Sequence, residues 1–243
     1  NVFFPLCFDV NGTPTEVRVE KKHGINKLSV PRQEYIKMCS EYAEGFIDEM
    51  THQFEIMGTS MDPSIYYQTD APYYRRITQI SFLRMLEQGL AYKGTYPVNW
   101  CPRCMTALAD AEVEYRDNVT KLNYIKFHAK DGEYAEIATT RPELICTCQM
   151  VAVHPDDQRN RDLIGKKLRT PVYDKEVHVQ ADDKVDPEFG SGVVMVCTIG
   201  DKDDLEWVMK YDLPLEKGID EQGRMTEVAG PYEGMTVREA RER

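Results

Sequence analysis

The fold of the C-terminal half is decided by Leu122-Asn123-Tyr124-Ile125-Lys126-Phe127-His128, where the hydrophobic pattern changes to a period of two. A turn at Asp131-Gly132 comes next, and a second β-prone segment runs from Tyr134 to Thr139. Two such segments around an Asp-Gly turn predict a β-hairpin, because strand side chains alternate between the two faces of a sheet. Residues 117–243 are therefore predicted to form a compact, mainly β domain. Its other predicted elements are strands around Met150–His154, Val172–Val179 and Val193–Thr198, a helix from about Asp203 to Tyr211 and a helix that begins near Thr236.

The first 116 residues have a different pattern, in which apolar residues recur at helical spacing. A strand from Val2 to Phe8 and a Gly/Pro loop precede a helix that starts near Pro31, because proline is preorganised for the first turn of a helix. A second helix opens at Asp70-Ala71-Pro72 and stops between Gly89 and Gly94. Residues 1–116 are therefore predicted to be an α/β segment with two helices. The apolar face of the first helix comprises Ile36, Cys39, Ala43, Phe46, Ile47 and Met50.

The composition is that of a globular protein, with 42% hydrophobic and 29% charged residues, which excludes disordered and collagen-like classes. No apolar run approaches the roughly 20 residues that cross a bilayer, so we expect no membrane partner and a cytoplasmic location. The net charge of −11 argues against a surface that binds nucleic acid non-specifically. The start at a strand and the end inside a charged helical stretch suggest an excised piece of a longer protein. One mixed basic run can be read as a local patch or as a solvated face: Arg159, Arg161, Lys166, Lys167 and Arg169.

Seven cysteines without a secretory leader indicate reduced thiols and not a disulfide framework. Cys101-Pro102-Arg103-Cys104 has the spacing of half a zinc knuckle, and a structural zinc site needs four ligands. The second pair is missing, because Cys146 and Cys148 are separated by one residue and would face the same way on a strand. A zinc half-site and buried thiols are both consistent with this pattern.

Polar residues follow two predicted strands, and together they predict one pocket. Ala138-Thr139-Thr140-Arg141-Pro142-Glu143 closes the hairpin, and an acidic turn from Asp201 to Asp204 follows the strand Val193–Thr198. Polar groups at strand ends usually mark a site. The acidic turn also fits a helix N-terminus, where carboxylates meet the positive end of the helix dipole. Both interpretations stay open for different aspartates.

Three motifs resemble one known family. The segment Val98-Asn99-Trp100-Cys101-Pro102-Arg103-Cys104-Met105-Thr106-Ala107-Leu108-Ala109-Asp110-Ala111-Glu112-Val113-Glu114-Tyr115 is similar to the entry into the editing insertion of the class I aminoacyl-tRNA synthetases for valine, isoleucine and leucine. Ala138–Glu143 and Ala152-Val153-His154-Pro155-Asp156-Asp157 favour the valine-specific, archaeal-like members. The resemblance covers essentially the whole chain. It implies part of a Rossmann-like catalytic domain in residues 1–116 and a barrel-like editing domain in residues 117–243.

The resemblance also implies roles for individual residues. The aspartate matching Asp204 holds the α-amino group of a misattached amino acid, and the one matching Asp201 lies beside it. Thr139 and Arg141 match residues that line the editing pocket and meet the terminal adenosine, and Phe189 matches an aromatic residue against the adenine. These roles agree with physical chemistry, since a carboxylate suits an ammonium, an aromatic face suits a base and a guanidinium suits a ribose or phosphate edge.

Further candidates complete the predicted editing site. We expect the hydroxyl of Thr140 to act with Thr139, and Glu143 and Lys202 to help bind the substrate or the tRNA end. Cys197 is a candidate where bacterial relatives tend to show a threonine. They also tend to show a threonine at Leu144 and a lysine at Met195, so the pocket chemistry is expected to be redistributed in this chain.

The implied reaction is hydrolysis of threonine wrongly esterified to valine tRNA. The sequence contains no Ser/His/Asp constellation, no HExxH motif and no complete metal site, and His154 in Val153-His154-Pro155 is read as a structural strand end. A positioned water, aided by carboxylates and substrate hydroxyls, is therefore the preferred mechanism, and editing is expected to need no cofactor. The expected partners are the acceptor end of tRNA(Val) and a threonine or valine moiety.

The N-terminal stretch resembles the catalytic domain of the family. Asp9, at a strand end, matches the aspartate that binds the amino group of activated valine. The HIGH and KMSKS motifs, which handle ATP, are absent, so this chain alone is not expected to charge tRNA, although the complete synthetases use ATP and Mg²⁺. The ligands missing beside Cys101 and Cys104 would lie beyond the editing insertion.

Three other functional classes stay in view. The chain could be the editing domain of an isoleucine or leucine enzyme, an aminoacyl-tRNA binding module without hydrolysis, or a zinc-ribbon interaction protein. We expect a monomer, with self-association of a truncated chain through exposed apolar faces as the alternative.

Overall fold

A computed structural model describes residues 3–94 and 96–243, apart from the side chain of Lys202. The chain divides into two units, residues 1–95 and residues 96–243. This division by contacts falls before the predicted one between residues 116 and 117. The predicted boundary separates a catalytic segment from an editing domain by function, and it stays a prediction.

The first unit is an α/β arrangement around a short parallel strand pair. Strand β1 (Leu6–Phe8) is followed by helices α1 (Thr13–His23) and α2 (Arg32–Ile56), strand β2 (Tyr66–Gln68) and helix α3 (Pro72–Glu87). β1 and β2 pair in parallel. Both predicted helices are confirmed.

Helix α1 replaces part of the predicted Gly/Pro loop, so that prediction was wrong. Gly12 precedes the helix with a φ of 137°, and Pro14 lies in the first turn, where a missing backbone N–H costs nothing. Gly24 ends the helix in the left-handed conformation. Val19 is the only buried residue of this helix, so its apolar periodicity is too weak to reveal it from sequence.

Apolar side chains of α2 and α3 are exposed in this unit. Phe46 on α2 is 43% exposed, and Ile77 and Leu83 on α3 are 62% and 54% exposed. Helix α3 has no buried residue. The self-association expected from such faces stays a prediction.

The second unit is built on a six-stranded, nearly closed sheet. A small hairpin of β3 (Trp100–Cys101) and β4 (Thr106–Ala107) precedes it. The sheet order is β10-β7-β9-β8-β5-β6, with every neighbouring pair antiparallel except β7 and β9. Its edge strands β6 and β10 lie against each other, which confirms the predicted α/β fold class with a barrel-like, mainly β part. The strands are β5 (Asn123–Ala129), β6 (Tyr134–Thr139), β7 (Cys148–Val153), β8 (Lys167–Arg169), β9 (Glu176–Ala181) and β10 (Val193–Cys197).

The core of the sheet is filled by alternating strand residues. Phe127 on β5, Ile137 on β6 and Val151 on β7 are completely buried. Burial of side chains of this size contributes roughly 1.5–3 kcal/mol each. The hydrophobic effect therefore holds the curved sheet and keeps its two edges together.

Some predicted strand details were wrong. β8 was missed because Leu168 is its only buried apolar residue, between Lys167 and Arg169. β9 begins at Glu176 and not at Val172, because Val172 has a φ of 70° and lies in a turn. Cys146 and Cys148 do not share a strand, since Cys146 lies in the 3₁₀ turn Pro142–Thr147.

Two helices complete the second unit, as predicted. Helix α4 (Lys202–Lys210) follows β10, and helix α5 (Val237–Glu242) is capped by Thr236. In residues 3–94 and 96–243 we find no helix with the length and apolarity to cross a membrane.

Candidate functional site

A cavity of about 350 Å³ lies where the end of β6, the end of β10 and the start of α4 meet, and we call it the seam pocket. The two polar stretches that the sequence singles out both reach it. Of the predicted site residues, it is lined by Thr139, Thr140, Arg141, Phe189, Cys197, Asp201 and Asp204.

Asp204 is the carboxylate held most firmly in the seam pocket. It is 9% exposed, and its Oδ1 accepts a hydrogen bond of 3.0 Å from the backbone N–H of Cys197. Asp201 caps α4 by accepting a 2.9 Å hydrogen bond from the backbone N–H of Asp204. Burial and then the negative charge of Asp201 raise the pKa of Asp204 to about 7. Asp201 is therefore the helix cap, while Asp204 lies on the pocket wall and its predicted binding role stays a prediction.

Gly200 gives Asp204 its space. A Cβ atom at Gly200 would overlap Oδ2 of Asp204 and would lie 3.3 Å from Cδ1 of Leu144. Any larger residue at position 200 would have to displace the carboxylate or the backbone of the turn. Glycine is therefore required at position 200, because the backbone there lies so close to the Asp204 carboxylate that a Cβ atom does not fit.

Arg141 is fixed at three points. Its backbone N–H donates to Oγ1 of Thr139 over 3.0 Å, its Nε donates to Glu143 over 3.2 Å, and its Nη1 donates to the backbone carbonyl of Gly200. The side chain is 38% exposed. The guanidinium therefore spans the seam between β6 and the turn after β10.

Phe189 lies on a loop at the rim of the pocket and is 55% exposed. Arg159 donates to the carbonyl of Pro187, and Asn160 donates to the carbonyl of Ser191. The buried carboxylate of Asp157 accepts a hydrogen bond from each of these two side chains. The Arg159 guanidinium holds the pKa of Asp157 down at about 2. Arg159, at the start of the basic run, thus has a structural role, and the loop presents a largely open aromatic face.

One predicted pocket residue lies elsewhere than predicted. Glu143 does not line the seam pocket, because its side chain is fully buried behind Arg141, where it also accepts hydrogen bonds from Arg241. Glu143 lies in the 3₁₀ turn Pro142–Thr147, in which every residue after Pro142 is buried. The side chain of Lys202 lies outside the described residues, so its predicted role stays a prediction.

The residues of the pocket wall that sequence reasoning missed include Lys184 and Trp207. Nζ of Lys184 lies 2.6 Å from Asp203 and 2.7 Å from Glu206, and 5.5 Å from the centre of the Trp207 ring. The only available signal was a lysine inside the acidic run before Phe189. His154, in contrast, is absent from the lining, and its Nδ1 accepts a 3.1 Å hydrogen bond from the backbone of Asp156, in keeping with a structural residue.

Cys101 and Cys104 form one half of a knuckle at the β3–β4 hairpin. The backbone N–H of Cys104 donates to Sγ of Cys101 over 3.4 Å, and this contact is the main reason why the pKa of Cys101 is lowered. A lowered thiol pKa suits metal binding. In the part of the chain that the structure describes, no group of three or more ligand-type side chains is arranged for a metal, and the zinc half-site at Cys101 and Cys104 stays a prediction.

Asp9 belongs to the first unit, at the carboxyl end of β1. Its Oδ1 accepts a 3.0 Å hydrogen bond from Oγ1 of Thr69, the residue that follows β2. The carboxyl ends of two parallel strands thus bring Asp9 and Thr69 together, where open α/β sheets usually bind ligands.

The family assignment rests on comparison with known proteins. The family described as class I tRNA synthetases (I, L, M and V) matches residues 1–163 of this chain. The chain therefore belongs to the class I tRNA synthetases. This confirms the resemblance inferred from its motifs.

The similarity extends end to end to valine–tRNA ligases. The chain is 49% identical over its whole length to that of Methanocaldococcus jannaschii, covering 28% of it. It is 52% identical over 99% of its length to that of Archaeoglobus fulgidus, again covering 28%, and 50% identical over 99% to that of Methanopyrus kandleri, covering 29%. The chain thus spans between a quarter and a third of the length of these relatives.

The solved structures that resemble the chain include one of much lower sequence identity. It is the LeuRS–tRNA–LeuAMS ternary complex of Agrobacterium radiobacter, which has 17% identity and a TM-score of 0.39, with 88% of this chain and 35% of that chain covered.

Proposed function

We propose that the chain is a segment of a valine–tRNA ligase and that its seam pocket hydrolyses threonine wrongly esterified to tRNA(Val). The observation that carries the proposal is that buried Asp204 and Arg141 both line one cavity of about 350 Å³. Identity of about half to valine–tRNA ligases over the whole chain supports the choice of tRNA.

The α-amino group of the misattached amino acid binds Asp204 in this proposal. The Cys197 N–H fixes Oδ1 of Asp204, and Oδ2 has no hydrogen-bond partner among the residues described. An ammonium group can satisfy that oxygen with a charge-assisted hydrogen bond. Asp201 lies on the same wall and adds negative charge that attracts the ammonium.

The terminal adenosine of the tRNA occupies the rim. Phe189 offers an exposed ring on which adenine can stack, and base stacking on an aromatic side chain contributes roughly 1–3 kcal/mol. Arg141 offers its guanidinium to a ribose or phosphate edge. The acceptor end would thereby lead from the loop of Phe189 into the pocket.

The pocket selects threonine over valine because a polar group of its wall can hydrogen-bond only to threonine. Thr140 lines the pocket, and the structure shows no partner for its hydroxyl in residues 3–94 and 96–243. A threonine side chain can hydrogen-bond there, whereas the nearly isosteric valine would leave the polar group buried and unpaired. An apolar pocket that binds valine for aminoacylation cannot strongly reject threonine, which differs by a hydroxyl. A second pocket that selects the hydroxyl is therefore useful.

Hydrolysis requires a water positioned against the ester carbonyl. The water oxygen bonds to the carbonyl carbon, the bond between that carbon and the ribose oxygen breaks, and the ribose oxygen takes up the proton released by the water. Thr139, Thr140 and the carboxylates supply the groups that position water and substrate, and positioning alone contributes substantially to such reactions. The proposal assigns no cofactor to this step. ATP and Mg²⁺ belong to the aminoacylation reaction of the complete ligase.

Deacylation assays with purified protein test the proposal. We expect the chain, and the full-length ligase that contains it, to release threonine from threonyl-tRNA(Val) while valyl-tRNA(Val) stays intact. Equal loss of both amino acids would exclude a selective pocket. Binding of threonyl-tRNA(Val) without turnover in either protein would leave only an aminoacyl-tRNA binding module.

The reaction should depend on pH through Asp204. The pKa of Asp204 is about 7 in the folded protein, above the ordinary value of 3.8. Protonation of this carboxyl therefore stabilises the folded state. Its contribution to the free energy of unfolding is full below about pH 4 and is lost as the pH rises to about 7. Binding of the ammonium needs the ionised form. We therefore expect kcat/KM for deacylation to rise from pH 6 to about pH 7, after subtraction of the uncatalysed rate, and to fall again at higher pH, where the substrate ammonium, with an ordinary pKa of about 7.7–8.0, loses its proton.

Asp201→Asn provides the matched comparison for this profile. Asparagine keeps an oxygen that can accept from the Asp204 N–H but removes the charge that raises the pKa of Asp204. The midpoint of the profile should move to lower pH. Because titration of the substrate amine is common to both proteins, an unchanged midpoint would contradict the assignment.

A further inference from the structure

Glu143 and Arg241 form an ion pair behind the seam pocket. The two residues are far apart in sequence, yet Nη2 and Nε of Arg241 lie 2.7 and 2.9 Å from the two carboxylate oxygens of Glu143. The Glu143 side chain is fully buried. Its Oε1 also accepts the 3.2 Å hydrogen bond from Nε of Arg141. One buried carboxylate thus joins an arginine of the pocket to an arginine outside it.

Helix α5 holds Arg241 in place by other interactions. Thr236 and Glu239 form a reciprocal capping box at its start. Val237 and Ala240 pack against a buried cluster of Cys146, Met225 and Ala229. The helix is therefore anchored by apolar packing and its cap, and Arg241 is presented from a fixed backbone.

The contacts continue from Glu143 to the pocket. Arg141 uses Nε for Glu143 and Nη1 for the carbonyl of Gly200, so the buried carboxylate sets the rotation of the guanidinium. Gly200 precedes Asp201, the residue that caps α4 and receives the N–H of Asp204. A change in the orientation of Arg141 therefore reaches the turn that carries both aspartates.

We propose that Arg241 is a positioning residue for the seam pocket, acting through Glu143 to hold the guanidinium of Arg141 in its working orientation. The inference rests on the proposed function and extends it to a residue that does not line the cavity. A single carboxylate shared by two guanidinium groups has a defined geometry, because each planar fork must meet it in a fixed direction. Without Arg241, Glu143 is free to turn and Arg141 loses its fixed partner.

The test is a double-mutant cycle in the full-length ligase. Arg241→Gln is expected to lower kcat/KM for deacylation of threonyl-tRNA(Val) by about tenfold to 100-fold, the range of a small misplacement of a positioned group. Made in an Arg141→Ala background, the same substitution should have little further effect, because the two residues act as one unit. Arg241→Lys keeps the charge but loses the planar fork, and it should recover only part of the rate.

Arg238→Gln is the matched control. Arg238 lies on the same helix, its side chain is 87% exposed and it pairs with the exposed Glu242, so its loss should leave deacylation unchanged. Thermal unfolding of each variant reports any loss of folded protein, and valine charging of tRNA(Val) should be the same in all variants.

The outcomes separate the two proposals. A full-length ligase that deacylates while Arg241→Gln and Arg241→Lys both keep the wild-type rate would overturn the role of Arg241 alone. So would effects of Arg241 and Arg141 that simply add, since these indicate independent structural roles. A wild-type ligase that leaves threonyl-tRNA(Val) intact would overturn the proposed function itself.

Discussion

Replacement of Asp204 by asparagine should lower kcat/KM for deacylation of threonyl-tRNA(Val) by about 30-fold to several thousand-fold. Asparagine has nearly the same shape and keeps an oxygen for the Cys197 N–H, so the pocket wall should stay in place. The charge that holds the substrate ammonium is lost. Truncating one partner of a buried, hydrogen-bonded charge pair costs about 2–5 kcal/mol, and about 1.4 kcal/mol corresponds to a factor of ten.

The measurement is single-turnover deacylation by wild type and variant, with Glu206→Gln as the control. Glu206 is on the same helix, its side chain is 68% exposed, and Lys184 keeps Asp203 as an ion-pair partner when Glu206 is replaced, so the rate should stay close to wild type. Since burial raises the pKa of Asp204, Asp204→Asn should also remove a group that destabilises the folded state when ionised. An Asp204→Asn protein that is as stable as wild type but has lost deacylation activity would show that the carboxylate is needed for the reaction and not for folding. Normal editing by Asp204→Asn would refute the pocket assignment.

Replacement of Gly200 by alanine should have an effect of similar size for a different reason. The new Cβ would overlap Oδ2 of Asp204 and crowd Leu144, so the carboxylate or the turn must move. The carbonyl of Gly200 also holds Arg141, and both sides of the pocket would therefore shift together. Displacement of a positioned group by about 1 Å can cost about 100-fold in rate.

Gly45→Ala supplies the matched control for this substitution. Gly45 lies inside helix α2, and nothing lies within 4 Å of a Cβ placed there. Alanine should stabilise that helix by up to about 1 kcal/mol and leave deacylation unchanged. Deacylation and thermal unfolding of both variants should be compared. A Gly200→Ala protein with the wild-type rate would mean that the turn moves freely and that the close approach has no functional role.

Local patterns explain why much of the site was predictable from sequence. The hairpin of β5 and β6 follows from a period of two around Asp131-Gly132, and both polar stretches end strands. The approach of β6 to β10 then brings Thr139 and Asp204 to one cavity. The prediction that the two stretches form one pocket is confirmed in its geometry, while the roles of the individual residues stay predictions.

The remaining parts depend on contacts that no local pattern records. Glu143 looked like a pocket residue because it follows Arg141 closely in sequence, but a 3₁₀ turn buries it. Its partner Arg241 lies 98 residues further along the chain, a separation at which spacing carries no signal. Local sequence also does not predict the place of Lys184 on the pocket wall, because that position depends on packing against α4.

The seam pocket lies where two edges of the sheet meet, so it forms during folding only when those edges come together. The β5–β6 hairpin closes through contacts between near neighbours in sequence, which form quickly. The approach of β6 to β10 joins segments separated by three intervening strands and carries the entropic cost of closing a long loop. Neither edge alone contains the pocket, because Arg141 belongs to one side and Asp204 to the other. Ligand binding at the seam is therefore also a measure of whether the barrel has closed.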